Sequence, residues 1–255
     1  MGQGQIAAAV CLRAWRGTLR HPVTLSFSLL QPLMWMLFFG FLFYRYRIVE
    51  LDPALAYIDF LLPGVCCMTV LFGASQSGVA YIRDIQQQLL GRMLQTPAGR
   101  GALLSGKLLA DTVRLLLQAL VVFALGTLIG ANWQLDPAQL LRALALLVLF
   151  AGSFCAISCA IALLTRRNDA MAAFVHFINM PLLFTSSVLV PVRQMPPWLE
   201  HIARLNPLTH VADSLRAALL PGWAAPPLVH DVFLLCFAVG AFLLAYLILQ
   251  RSPRE

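Results

Sequence analysis

The sequence predicts an all-α polytopic membrane protein with six transmembrane helices, because of its composition and its apolar runs. Of the 255 residues, 60% are hydrophobic and 11% are charged, whereas soluble domains average about 25% charged residues. A membrane-spanning helix needs about 20 mostly apolar residues, and six such runs follow one another along the chain. We therefore exclude a soluble globular protein, which would need more polar surface to cover its core.

The N-terminal segment, residues 1–22, is predicted to form a cytoplasmic amphipathic helix. Ala8, Leu12, Trp15 and Leu19 fall on one helical face, and three arginines share the neighbouring face. Such a helix lies in the headgroup layer of a membrane. A disordered basic leader is the alternative. The segment does not have the pattern of a signal peptide, because a short apolar core and a small-residue cleavage site are missing.

The transmembrane domain is predicted over residues 23–250, and a short tail follows at 251–255. Its six spans lie at about 23–44, 60–82, 108–129, 143–165, 170–192 and 228–250. When the chain is threaded in this order, eleven of the 18 Lys and Arg residues fall on the side of the N-terminus and six on the other. Since cytoplasmic loops carry the excess of basic residues, we expect both termini in the cytoplasm and the protein in the cytoplasmic (inner) membrane. The net charge of +7 thus marks a membrane side, and we expect no nucleic-acid partner.

The segment at 84–100, between spans two and three, is too polar for a span and too apolar for a solvated tether. Leu90, Met93, Leu94 and Pro97 form a small apolar ridge within it. We expect a cytoplasmic helix that a soluble partner could contact.

Between spans five and six, residues 193–227 form a connector that is too long to be unstructured. Two apolar patterns at helical spacing end at Pro207 and Pro221. Each is too short to cross a membrane, so we expect two short helices on the outer side.

The stretch GALLSGKL at residues 101–108 has the glycine and lysine spacing of a nucleotide-binding P-loop. A working P-loop follows a buried strand and has Ser or Thr after its lysine to bind Mg²⁺. Here no strand pattern precedes the stretch, and Leu108 follows Lys107. We therefore expect no nucleotide binding by this chain, and we expect Lys107 to anchor the inner end of span three.

Five polar residues in or at the end of the spans are candidate functional residues: Lys107, Asp111, Arg114, His176 and Asn179. Asp111 and Arg114 are three apart in span three and can pair on a helix; structural pairing is favoured over a role in substrate movement, although intramembrane charges are often functional. His176 and Asn179 are three apart just before Pro181. They could bind a substrate headgroup, but capping of backbone groups that the proline frees is favoured. The six cysteines show no metal-ligand spacing, so neither a metal site nor a catalytic residue is predicted.

Four stretches of the sequence resemble those of a known family. They are RHPVTLSFSLLQPLMWMLFFGFLF at 20–43, YIDFLLPGV at 57–65, RMLQTPAGRGALLSGKLLA at 92–110 and LNPLTHVADSLRAALLPG at 205–222. With these stretches in this order, the chain resembles the type-2 membrane subunits of ATP-binding-cassette exporters. It is most similar to the branch of the daunorubicin-type drug exporters and the nodulation-factor (lipo-oligosaccharide) exporters.

The resemblance implies an architecture and a set of partners. The segment at 84–100 would be a coupling helix that fits a groove on a separate ATPase subunit, which holds ATP and Mg²⁺; this chain would bind no cofactor. Short re-entrant helices would follow span five, with Asn206, Pro207 and Arg216 in their motif. Two subunits, identical or paralogous, would face each other among membrane lipids and export an amphipathic or lipid-linked molecule. The implied coupling residues are Leu90, Arg92, Met93, Leu94, Thr96, Pro97, Arg100 and Gly101.

Two other functions stay open on the sequence. An intramembrane transferase-type enzyme could use His176 or Asp111, and it would act on its substrate without an ATPase. An ion-driven secondary carrier is the second alternative. Such carriers are often built from internal repeats around a midplane ionisable site, and we find neither pattern in this sequence.

Overall fold

A computed structural model of the chain describes residues 22–43, 56–86, 100–134, 136–224 and 226–251. In these residues the regular secondary structure is helical. The helices are α1 (Pro22–Leu42), α2 (Tyr57–Gln86), α3 (Arg100–Ile129), α4 (Pro137–Thr165), α5 (Asn168–Phe174), α6 (Met180–Phe184), α7 (Pro197–Leu205), α8 (Pro207–Leu219) and α9 (Val229–Arg251). A π-helical turn, Val175–Asn179, joins α5 to α6, and a 3-10 turn, Val192–Gln194, precedes α7.

Four of the described helices are long and apolar enough to cross a membrane. They are Tyr57–Gln86, Leu104–Ile129, Pro137–Thr165 and Val229–Gln250. In α1 the apolar part with described side chains is shorter, Leu30–Leu42. The all-helical membrane fold is therefore confirmed for the described residues, while the count of six spans stays a prediction.

The segment expected to form span five, 170–192, is not one regular α-helix, because it contains a π turn and stops being helical before residue 192. It consists of α5, the π turn and α6, and the helix ends at Phe184. Pro181 has no N–H to donate to the preceding turn, which interrupts the regular bonding of an α-helix. The chain then turns over residues 185–191, where the backbone N–H groups of Thr185 and Ser186 bond to Pro181 and Leu183.

Helix α2 is the centre of the fold. It is the most deeply buried of the four long helices, and it contacts α1, α3, α4 and α8. Small residues allow this close approach. A Cβ added at Gly73 would lie 2.3 Å from the Leu115 side chain, and one added at Gly78 would lie 2.4 Å from Ser158 Oγ. Side chains on α3 and α4 therefore pack directly against the α2 backbone.

Helix α4 has well-defined ends, which fix the connectors beside it. The Asp136 carboxylate accepts hydrogen bonds from the N–H groups of Ala138 and Gln139, as expected of an N-cap before Pro137. The helix ends at Thr165, and the capping residue Arg166 has a left-handed φ of 51°. The N–H groups of Gln134 and Asp136 bond to carbonyls at the end of α8, which connects the α3–α4 connector to that helix.

The region at 193–227 contains the two short helices that the sequence predicted, α7 and α8. Helix α7 is largely exposed: Trp198, Ile202 and Leu205 form its exposed apolar face. Helix α8 is largely buried against α2 and α4. The outer, re-entrant position of this pair stays a prediction.

Candidate functional site

The P-loop-like stretch does not have the backbone of a phosphate-binding loop. Residues 101–108 lie in the first turns of α3, so they are helical throughout. The Lys107 Nζ donates a hydrogen bond to Asp84 Oδ2 at 2.5 Å and lies 5.0 Å from the centroid of the Tyr81 ring. Lys107 therefore connects the beginning of α3 to the end of α2.

Asp111 and Arg114 form the i, i+3 pair that their spacing predicted, with 3.7 Å between Arg114 Nε and Asp111 Oδ1. The second contact of Arg114 was not predicted. Its Nη2 donates to Ser77 Oγ at 3.1 Å and to the Gly73 carbonyl at 3.3 Å. The arginine therefore links α3 to α2, as Lys107 does two turns earlier.

His176 and Asn179 lie in the π turn, and the structure separates them. His176 is exposed, whereas Asn179 is fully buried. A π turn has more residues per turn than an α-helix, so residues three apart do not share a face there. The Asn179 Nδ2 donates to Ser75 Oγ on α2 at 2.6 Å, and its Oδ1 is buried with no hydrogen-bond partner. Asn179 thus connects the interrupted helix to α2.

Arg216 is the centre of a second polar cluster, at the opposite end of α2. Its side chain is fully buried (0% exposed), and its Nη1 lies 2.9 Å from Asp213 Oδ1. Its guanidinium also donates to Ser187 Oγ and to the carbonyls of Phe60 and Val188, at 3.0 to 3.2 Å. Burial lowers the pKa of Arg216, and Asp213 opposes this shift. The cluster joins α8 to α2 and to the turn that follows α6.

Arg216 also contacts two aromatic rings. The guanidinium carbon lies 3.7 Å from the centroid of the Phe60 ring and 5.5 Å from that of Trp223. Such cation–π contacts stabilise a desolvated guanidinium. Gly64 allows Arg216 and the turn after α6 to lie close to α2, because a Cβ there would be 2.7 Å from the Val188 carbonyl oxygen and 3.1 Å from Arg216 Nη2.

Asn206 and Pro207 begin α8. The Asn206 side chain accepts a hydrogen bond from the N–H of Leu208 at 2.9 Å, as an N-cap does, and Pro207 occupies the first helical position. The Asn206 Nδ2 donates to the Leu182 carbonyl and to Thr185 Oγ1. The same residue therefore begins α8 and attaches it to the end of α6.

Sequence reasoning missed a third polar contact, between α4 and α9. The Arg142 guanidinium binds both carboxylate oxygens of Asp231, at 2.8 and 2.9 Å, and the Pro226 carbonyl. Nearby, the ring centroids of His210 and His230 are 4.2 Å apart. Burial and, second, the charge of His230 lower the pKa of His210 to about 4. Arg142 and Asp231 lie on different helices, so no local spacing indicates their pairing.

The predicted coupling residues are only partly within the described ranges. Arg100 and Gly101 are the first residues of α3. The others, Leu90, Arg92, Met93, Leu94, Thr96 and Pro97, lie outside the described residues. Among the described residues, no group of three or more His, Cys, Asp or Glu side chains could hold a metal ion.

Sequence comparisons relate this chain to known transport proteins. The model of the ABC-2 type transporter family matches residues 7–220. A transport permease, ycf38, of Cyanophora paradoxa is 32% identical over 77% of this chain and 68% of its own length. The daunorubicin resistance ABC transporter permease protein DrrB1 of Streptomyces coeruleorubidus is 28% identical over 82% of this chain and 74% of its own. Nodulation protein J of Rhizobium meliloti is 25% identical over 77% of this chain and 74% of its own length.

Proposed function

Since this chain belongs to the ABC-2 type transporter family, we propose that it is the transmembrane permease subunit of an ATP-driven exporter. Its substrate would be an amphipathic or lipid-linked molecule, such as a drug or a lipo-oligosaccharide, that moves outward across the cytoplasmic membrane. The observation that carries the proposal is the family match, which covers α1 to α8. Relatives named for daunorubicin resistance and nodulation support this substrate class.

The proposed energy source is ATP hydrolysis on a separate subunit. The single stretch with P-loop spacing is helical in this chain, and its lysine is paired with Asp84. We propose that the ATPase contacts segment 84–100, which runs from the end of α2 to the first residue of α3. The chain would itself perform no covalent chemistry and bind neither ATP nor Mg²⁺.

We propose that the end of α2 near Asp84 faces the cytoplasm and that the end near Phe60 faces outward. This orientation follows from the excess of Lys and Arg on the side of the N-terminus. It would put the Arg216 cluster and helices α7 and α8 at the outer surface, with both termini inside. Two such subunits, identical or paralogous, would form the pathway.

A reconstitution experiment tests the function. The chain would be co-purified with its ATPase subunit, and proteoliposomes would be assayed for ATP-dependent movement of fluorescent daunorubicin and of a labelled lipo-oligosaccharide. We expect ATP-dependent movement of at least one of them from the ATPase side, and none when the hydrolytic site of the ATPase is inactivated.

The same vesicles distinguish the two alternatives. Movement driven by a proton or sodium gradient without the ATPase would indicate a secondary carrier. A covalently altered substrate, produced by the chain without the ATPase, would indicate an enzyme. Either result would contradict the proposal.

A further inference from the structure

Helices α2 and α3 are antiparallel, and a fixed register pairs the end of α2 with the beginning of α3. Asp84 on α2 contacts Lys107 on α3, and Ser77, seven residues before Asp84, contacts Arg114, seven residues after Lys107. Seven residues are about two helical turns, so both contacts lie on the same faces of the two helices. Farther along, the Leu115 side chain packs directly on Gly73. The two helices are thus joined by a polar clamp, which we define as Asp84, Lys107, Ser77 and Arg114.

The polar clamp is mostly shielded from solvent and locally neutral. The side chains of Lys107 and Arg114 are 16% and 19% exposed, that of Asp84 is 33% exposed, and that of Asp111, which neighbours Arg114, is 14% exposed. Each cation has an acidic neighbour: Asp84 for Lys107 and Asp111 for Arg114. Removing one member of such a pair leaves an uncompensated charge, which costs more than the intact pair contributes. The clamp therefore favours one relative position of α2 and α3.

The polar clamp lies next to the segment that connects α2 to α3, so a movement of that segment would act on the clamp first. Asp84 is two residues from the end of α2, and Lys107 is in the second turn of α3. From there α2 extends to Phe60, whose carbonyl accepts a hydrogen bond from Arg216. Midway, Ser75 on α2 accepts a hydrogen bond from Asn179 of the π turn. A displacement of α2 would therefore reach both α8 and the interrupted helix.

We propose that Asp84, Lys107, Ser77 and Arg114 are positioning residues that make α2 and α3 move as one rigid lever. This rests on the proposed function, in which an ATPase acts on the segment that connects these two helices. With the clamp intact, displacement of that segment moves both helices together. With the clamp broken, the two helix ends separate, and hydrolysis continues without transport.

The first test measures coupling in the complex with the ATPase. The variants are Asp84→Asn, Lys107→Gln and the charge exchange D84K/K107D. We expect each single variant to lower the amount of substrate moved per ATP hydrolysed by about tenfold, within the usual range of coupling between sites, while ATP hydrolysis persists. The charge exchange should restore most of this ratio, and Lys107→Arg should keep it. If the single variants retain the parent ratio, the proposal is wrong.

The matched control is another ion pair. Arg167 and Asp169 lie 3.0 Å apart, but their side chains are 75% and 82% exposed. The exchange R167D/D169R should leave the ratio unchanged. A loss as large as that of Lys107→Gln would contradict a specific role of the polar clamp.

The second test needs no ATPase, so it separates failure of the clamp from failure of the proposed function. Spin labels at Gln86→Cys and Leu109→Cys, in full-length chain with Cys11 and Cys236 replaced by serine, report the distance between the two helix ends in nanodiscs. We expect one narrow distance distribution for the parent, a broad one for Lys107→Gln and a narrow one again for D84K/K107D. Identical distance distributions in all three proteins would contradict the proposed role of the polar clamp. If the expected pattern occurs but no complex with the ATPase moves substrate, the role of the clamp is supported and the proposed exporter function is contradicted.

Discussion

Replacing Arg216 by methionine should destabilise the fold more than any exposed charge replacement. The arginine makes hydrogen bonds to Asp213, Ser187 and two backbone carbonyls, and its side chain is fully buried. Methionine has a similar length but donates no hydrogen bond. The Asp213 carboxylate and the Phe60 and Val188 carbonyls would then lose their common donor.

The expected loss follows from the burial of this pair. Breaking a buried ion pair by removing one partner costs about 3–5 kcal/mol. The Asp213 side chain is 18% exposed, so water can partly solvate it, and we expect about 3 kcal/mol. In a chain of this size, 1 kcal/mol shifts the Tm by about 2–4 °C. The apparent Tm of Arg216→Met should therefore fall by about 6–12 °C.

The assay is thermal unfolding of the purified chain in detergent, with Arg204→Met as the matched control. Arg204 pairs with Glu200 on neighbouring α7, but its side chain is 69% exposed. An exposed pair contributes about 0–1 kcal/mol, so its loss should change the Tm little. The double variant R216M/D213L should recover much of the loss, because apolar replacement of a whole buried pair is often tolerated. If Arg216→Met unfolds at the same temperature as Arg204→Met, the reasoning is refuted.

Two further predictions concern α8 and the part of α2 that packs against it. Gly64→Ala should lower the free energy of unfolding by about 1–3 kcal/mol, because the added methyl would lie 2.7 Å from the Val188 oxygen. The control Gly240→Ala, which has open space around it, should leave stability unchanged. Equal melting temperatures for the two variants would contradict the close approach at Gly64. Burial lowers the pKa of His210 to about 4 in the folded protein, whereas the pKa of a histidine in the unfolded chain is about 6.5. Between these two pH values the folded protein therefore keeps His210 neutral, while the unfolded chain binds a proton there. The contribution of neutral His210 to stability should be fully present above pH 6.5 and should decline as the pH falls towards 4. The variant His210→Phe should weaken this part of the pH dependence of the Tm. An unchanged pH dependence would contradict the lowered pKa of His210.

Local patterns predicted part of the candidate site. The Asp111–Arg114 pair follows from helix geometry alone, because residues three apart lie on one face. Asn206 and Pro207 likewise indicate a helix start by their own chemistry. The sequence predicts that Lys107 anchors the end of a span, but it does not indicate Asp84 as its partner. That pairing depends on the register of two helices, which neither helix specifies by itself.

The interrupted helix shows the same difference between local and tertiary information. The run at 170–192 is apolar enough for a span, and Pro181 indicates a disturbance. The sequence did not show that the disturbance includes a π turn. That turn buries Asn179 against Ser75 and exposes His176, so the two residues do not share the face that α-helical spacing predicted.

The sequence by itself determined that the protein is helical and belongs in a membrane, because long apolar runs are properties of contiguous residues. It also determined the order of the helices and the positions of several of their ends. Only the tertiary structure decided that α2 lies at the centre, that Arg216 of α8 is buried against the Phe60 end of α2, and which charges pair across helices. These features arise from side chains that are distant in sequence, and their contacts exist only after the helices have packed.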